Sequence, residues 1–156
     1  MWYGEYRGAK VLAFEYQYTT KVRREALTYV YTVVCLATRA PRPYLQVSHE
    51  HLGYATTGLV GVRGLRLEND EFDRDFQVFA GDERFARDVL HPRMRGWLLT
   101  DQRARTTPFR FEGNTLLCWR HGQLEPETVL EMANFLSEIL QRVPPYVWSS
   151  PLPVTR

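Results

Sequence analysis

The C-terminal third of the chain carries the feature that most limits its fold. Pro126 is placed for a first helical position, where its missing N–H costs nothing. Val129, Met132, Ala133, Leu136, Ile139, Leu140 and Val143 then recur on one helical face until Pro144-Pro145 stops the helix. A lone amphipathic helix cannot bury its own stripe, so a broad apolar surface must exist elsewhere. The rest of the chain supplies that surface as strands.

Val11 to Tyr18 alternates, with Leu12, Phe14, Tyr16 and Tyr18 on one face, the pattern of a half-buried strand. Thr19 to Glu25 reads as a charged turn into Leu27 to Leu36, a β-branched and aromatic run predicted to be its hairpin partner. Pro41 and Pro43 close that unit, and Tyr44 to Val47 reads as a short edge strand. His49 to Gly64 is irregular and glycine-rich, with a strand predicted over Val62 to Glu68. Phe109 to Glu112 and Thr115 to Trp119 read as two strands joined by a tight turn at Gly113-Asn114.

Between these groups, Leu67 to Leu99 is the richest stretch in local signals. Phe72 and Phe76 bracket Glu71, Asp73, Arg74 and Asp75, a spacing that one helical turn or an even strand offset would put on one side. Either geometry buries both rings, and Arg74 is expected to be held by a nearby acid. Phe76 to Phe79 reads as a strand, and Asp82 as the N-cap of a helix carrying Phe85, Ala86, Val89 and Leu90. His91-Pro92 breaks that helix, because the residue before a proline is pushed out of the α region. Met94, Trp97 and Leu98 then mark a second helix.

The same stretch carries a family resemblance. Glu68, Glu71-Phe72, Arg74, Phe76, Val78, Asp82, Ala86, Leu90 and Pro92 resemble the pattern of a family of uncharacterised bacterial proteins. In that family a soluble domain usually follows one or two N-terminal membrane-spanning segments. The likeness extends to Gly8 to Tyr16 and to Ile139 to Trp148, and departs from the pattern at Asp73 and Asp75. It implies a non-catalytic interaction or scaffolding module on the cytoplasmic side of a membrane, with an unknown protein partner or the membrane surface itself as its counterpart. The alternative is a domain that binds a small ligand or a lipid headgroup in a pocket between sheet and helices. No spanning segment is legible in this chain. Its longest uncharged run, Ala26 to Thr38, has 13 residues, short of the roughly 20 a spanning helix needs.

Together these elements predict an α+β fold: a largely antiparallel sheet, a central helix pair and a long C-terminal helix. A pleckstrin-homology-like barrel with a helical insertion has the same element order and is the alternative. The expected layout is one globular domain over residues 1–148 and a flexible proline-rich tail over 149–156, of unknown oligomeric state.

Composition narrows the function classes. A net charge of +2 from 20 basic and 18 acidic residues gives no footing for nucleic acid. Cys35 and Cys118 each lie in apolar strand-like runs and read as buried reduced thiols. His49 and His51 face one side of an extended segment but lack a third ligand, so they read as turn residues and no metal is expected. Cys118 and His121 are three apart in a strand, which sends them to opposite faces. Gly58-Leu59-Val60-Gly61-Val62-Arg63-Gly64 lacks the Lys-Ser/Thr ending of a phosphate loop. No catalytic constellation and no cofactor are therefore expected. The remaining binding candidates are Glu71 and Arg74 in the acidic-basic cluster and Arg103 and Arg105, with Arg110, in a second basic group. Lys21, Arg23 and Arg24 make a third. The aromatic strand face of Tyr16, Tyr18 and Tyr29 reads mainly as cross-strand packing.

Overall fold

The computed structural model describes residues 1–52 and 61–149. Its frame is an antiparallel sheet of six strands covered on one side by helices. β1 (Trp2–Tyr6) and β2 (Ala9–Val22) form a hairpin across Arg7-Gly8, both at positive φ (49° and 81°). β2 then pairs with β3 (Glu25–His49), the hairpin expected from sequence. The predicted turn over Thr19 to Glu25 shrinks to Arg23-Arg24, because Thr19 and Thr28 and their neighbours pair in register to the end.

β3 is 25 residues long and organises the sheet. β6 (Phe109–His121) turns back on itself at Gly113 (φ 57°), so that the Trp119 N–H donates to the Pro108 carbonyl at 3.3 Å. The tight turn predicted at Gly113-Asn114 is thus present inside one extended run. β3 wraps around it: Tyr31 to Ala37 pair with Thr115 to His121, and Leu45 to Val47 pair with Phe109 to Phe111. The register shifts between Ala37 and Arg42 and again before Leu45 supply the extra residues needed to pass the turn. Pro41 and Pro43 fall at that break, where a missing N–H removes no ladder bond. Tyr44 to Val47 is not an edge strand. It lies between β6 and β5 (Phe76–Ala80), which pairs with it from Leu45 to His49. β4 (Arg63–Leu65) completes the sheet beyond β5 and is shorter than the strand predicted over Val62 to Glu68. The sheet stays open, so the barrel alternative does not hold.

The helices are α1 (Asp70–Asp75), α2 (Glu83–Val89), α3 (Pro92–Thr100), α4 (Gln102–Thr106), α5 (Pro126–Arg142) and α6 (Tyr146–Ser149). The predicted central pair is α2 and α3, split by His91-Pro92 as expected. Asp82 caps α2 by accepting from the Phe85 N–H at 2.7 Å. α5 starts at Pro126 and stops before Pro144-Pro145, and its Met132, Ala133, Phe135, Leu136 and Ile139 are buried. They meet the sheet face formed by Ala13, Val34, Leu36, Leu45, Val47, Phe109, Phe111, Leu116 and Cys118, all buried. Phe72 and Phe76 sit at the junction of α1 and β5, with rings stacked at 4.8 Å. One helical turn produces this contact, as expected: Phe76 is the C-cap of α1, its N–H donates to the Phe72 carbonyl, and both rings are buried.

Candidate functional site

Strand alternation decides what the other face of the sheet carries. In the β2–β3 hairpin Tyr16 stands opposite Tyr31, and Tyr18 opposite Tyr29. His121 of β6 joins them opposite Tyr31. The Tyr18 ring stacks on Tyr29 at 4.9 Å and lies nearly parallel to Tyr31 at 6.1 Å, and Tyr31 meets the His121 edge at 5.0 Å. Among the described residues no helix lies over this ladder, because the helices pack on the side of Val34, Leu36, Leu116 and Cys118. Tyr16 is 53% and Tyr18 39% exposed. Contact with neighbouring rings, then the nearby Tyr31 phenol, pushes the Tyr18 hydroxyl pKa up.

Further along the same face, Arg110 lies between two aromatic rings, 5.2 Å from Tyr44 and 5.1 Å from Trp119. Its Nε and Nη2 donate to the buried Gln46 Oε1, which also accepts from the Tyr44 hydroxyl. This is a flat, rigid surface of rings with one cation stacked into it. It can bind by contact, and it offers no activated nucleophile.

The helix side holds a different feature. A groove of about 900 Å³ opens between the β1–β2 turn, the β3 segment at Leu36 to Arg39, and the C-terminal end of α5 with α6. Leu36, Leu140, Val143 and Trp148 line its apolar part, and Arg7, Lys10 and Arg39 stand in its wall. The Tyr6 hydroxyl donates to Asn134 Oδ1 and pins the β1–β2 hairpin to α5. Arg42, buried at 8% exposure, donates to the Pro41, Val147 and Trp148 carbonyls and holds α6 in place.

The binding candidates from sequence do not converge. Glu71 and Arg74 are exposed on α1, and among the described residues Arg74 pairs only with its neighbour Asp75, its own side chain 71% exposed. Arg74 is thus held by a nearby acid, as expected, at the surface. The structural carboxylate of that cluster is Asp73, which accepts from the Leu67 and Asn69 N–H groups and fixes the entry to α1. Arg103, Arg105 and Arg110 share no turn: the first two are in α4 and the third in β6. Arg103 is locked into ion pairs with Asp101 and Glu138, while Arg105 is exposed. Among the described residues no ion pair or hydrogen bond joins the Glu71–Arg74 pair to the Arg103–Arg105 pair.

His49 ends β3 and contacts His51 in the following 3-10 turn (Glu50–Leu52), with Nδ1 atoms 2.6 Å apart. Partial burial, then the neighbouring His51, holds the His49 pKa down. No three of His, Cys, Asp and Glu gather into a metal-holding group among the described residues. Cys118 is buried against α5 while His121 lies in the ladder on the opposite face, the separation their spacing predicts. The glycine segment from Gly58 lies partly outside the described residues, and the expected tail over 149–156 does too except for Ser149, which ends α6.

Sequence reading put Tyr16, Tyr18 and Tyr29 on one face but did not place there their β3 neighbour Tyr31, or Arg110, Trp119 and His121, which reach it from β6. It also missed Arg7, Lys10 and Arg39. Their one local signal is Arg7-Gly8, a turn dipeptide.

No family model and no curated protein matches the chain. The chain has a solved structural counterpart. It is similar to the crystal structure of the mycobacterial trehalose monomycolate transport factor A, TtfA, at a TM-score of 0.56 and 15% identity, over 88% of this chain and 74% of that one. The likeness is one of fold alone. No helix among the described residues is long and apolar enough to cross a membrane.

Proposed function

We propose that this domain is a non-catalytic interaction module and that a protein partner docks on the tyrosine face of β2 and β3. The observation that carries this reading is the ladder itself: Tyr16 and Tyr18 are exposed and backed by Tyr29 and Tyr31, with no helix over them among the described residues. Tyrosine is enriched in protein interfaces, where its ring buries area and its hydroxyl stays hydrogen-bonded. Rings already stacked lose little further freedom on binding, which lowers the entropic cost of association. The opposed faces of Cys118 and His121 support a binding role over a catalytic one. The description of TtfA as a transport factor supports an accessory role too. The resemblance carried by the Leu67 to Leu99 pattern adds a place for such a module, the cytoplasmic side of a membrane.

The test places a photo-cross-linking residue at Tyr16 and, as a control, at Leu130, which is exposed on α5 on the other side. The expected result is a discrete heterologous protein adduct from position 16 alone, lost when Tyr18→Ser is added. Equal adducts from both positions, an adduct to a second copy of the chain only, or adducts to lipid only, would each overturn the reading.

A further inference from the structure

The structure assigns the groove between the β1–β2 turn and the end of α5 to a single-chain anionic amphiphile, a negatively charged head on one apolar chain. Charge complementarity carries the first half of this inference. Arg7, Lys10 and Arg39 line the groove with no carboxylate among its lining residues. Among the described residues none of the three takes part in an ion pair. Glu5 stands opposite Lys10 in the hairpin register without closing one. Arg42 behind α6 is a buried cation bonded to carbonyl oxygens, so it adds to the positive field of this end of the molecule.

Shape and lining carry the second half. Leu36, Leu140, Val143 and Trp148 supply the apolar part of the lining that also carries the cations. At about 900 Å³ the groove lies near the top of the range of about 300–1,000 Å³ usual for ligand sites. A bare phosphate would leave that apolar part wet, and a neutral hydrocarbon would leave the three cations unanswered. One acyl chain with an acidic head satisfies both. The groove is built to last: the hydrogen bond from Tyr6 to Asn134 ties the hairpin wall to α5, and Arg42 ties α6 to β3.

The experiment is calorimetric titration of the whole chain with oleoyl lysophosphatidic acid below its micelle concentration. Oleoyl lysophosphatidylcholine and inorganic phosphate are the comparison probes. Saturable one-to-one binding of the anionic lipid is expected, with the choline lipid and phosphate each much weaker. Lys10→Glu with Arg39→Glu should weaken binding about tenfold or more, since each basic group near an anionic head contributes about 1 kcal/mol. Gln141→Trp, at an exposed position in the groove wall, should block it by filling the space. Thermal melts confirm that each variant is folded, and neither touches the Tyr16 cross-link, so this site and the docking face succeed or fail separately. Equal binding of the choline lipid, phosphate binding as tight as the lipid, or indifference to both variants overturns the assignment. So does no saturable heat with the anionic lipid.

Discussion

Arg103 of α4 reaches Glu138 of α5 at 2.5 Å while its Nε and Nη2 grip Asp101 at 2.9 and 2.6 Å. The guanidinium also lies 5.3 Å from the Phe135 ring and 5.9 Å from Trp97. One side chain therefore couples the helix before β6 to the helix that covers the core.

That geometry makes Arg103, rather than the exposed Arg74, the arginine that matters to stability. Arg103→Ala leaves two partly buried carboxylates without their partner and should lower stability by about 1.5–3 kcal/mol, the usual worth of a hydrogen-bonded charge. Arg74→Ala removes an exposed contact and should change it by less than about 0.5 kcal/mol. Urea midpoints for the two variants decide the matter; an equal or larger loss at Arg74 contradicts the structure.

The contrast shows what was legible in the sequence. α5, the break at His91-Pro92 and the cap at Asp82 could be read because each rests on neighbours within one turn. The β2–β3 hairpin was legible for the same reason. Arg103 finds Glu138 across 35 positions and Tyr31 meets His121 across 90, and no local pattern encodes such a meeting. Tyr44 to Val47 looked like an edge strand because prolines precede it. Its central position follows from the way β3 passes around the β6 turn, which only the pairing reveals.

Asp101 gives the fold an acid-sensitive joint. The Arg103 side chain is the main cause that holds its carboxyl below the usual range, helped by the Arg103 N–H. A carboxylate depressed in the folded state stabilises fully above its unfolded value of about 3.9, and that contribution is lost as pH falls through the folded value. Asp101→Asn keeps the cap on the Arg103 N–H but removes the charge. The melting temperature of the variant should fall less than that of the parent between about pH 5 and pH 3. Parallel curves would falsify the coupling.

The two thiols should be inert near neutral pH. Burial pushes Cys35 up to about 11 and Cys118 further still. In register, Val34 lies opposite Cys118 and Cys35 opposite Leu117, so the thiols project from opposite faces and cannot form a disulfide with each other. Mass spectrometry after thiol labelling at pH 7.5 should show an unmodified folded protein. Labelling should begin with half-buried Cys35 as pH rises, and prior reaction at Cys118 would mean that α5 does not cover it.

Leu136 is fully buried on α5 among Met132, Phe135 and Ile139. Leu136→Ala deletes core volume and should cost about 2–5 kcal/mol, a large share of the roughly 5–15 kcal/mol that holds a domain together. Leu130→Ala, on the exposed side of the same helix, should be nearly neutral. A midpoint shifted alike by both would mean that α5 does not cover the core through this face.

Gly113 is where β6 reverses and where β3 must detour, so its backbone conformation supports both. Its φ is 57°, and a Cβ placed there would meet nothing within 4 Å. Space is therefore not the issue, and the cost of a side chain is the left-handed backbone alone. Gly113→Ala should destabilise by about 1–2 kcal/mol, while Gly4→Ala serves as the control. Gly4 also has open space, but it lies in β1 with no positive φ, and an added methyl there reduces the freedom of the unfolded chain at no native cost. Chemical denaturation of the pair should therefore give shifts of opposite sign or a clear gap, with Gly113→Ala the less stable. If Gly113→Ala were as stable as Gly4→Ala, the turn would not need the left-handed residue, and β3 would be passing around a differently built β6.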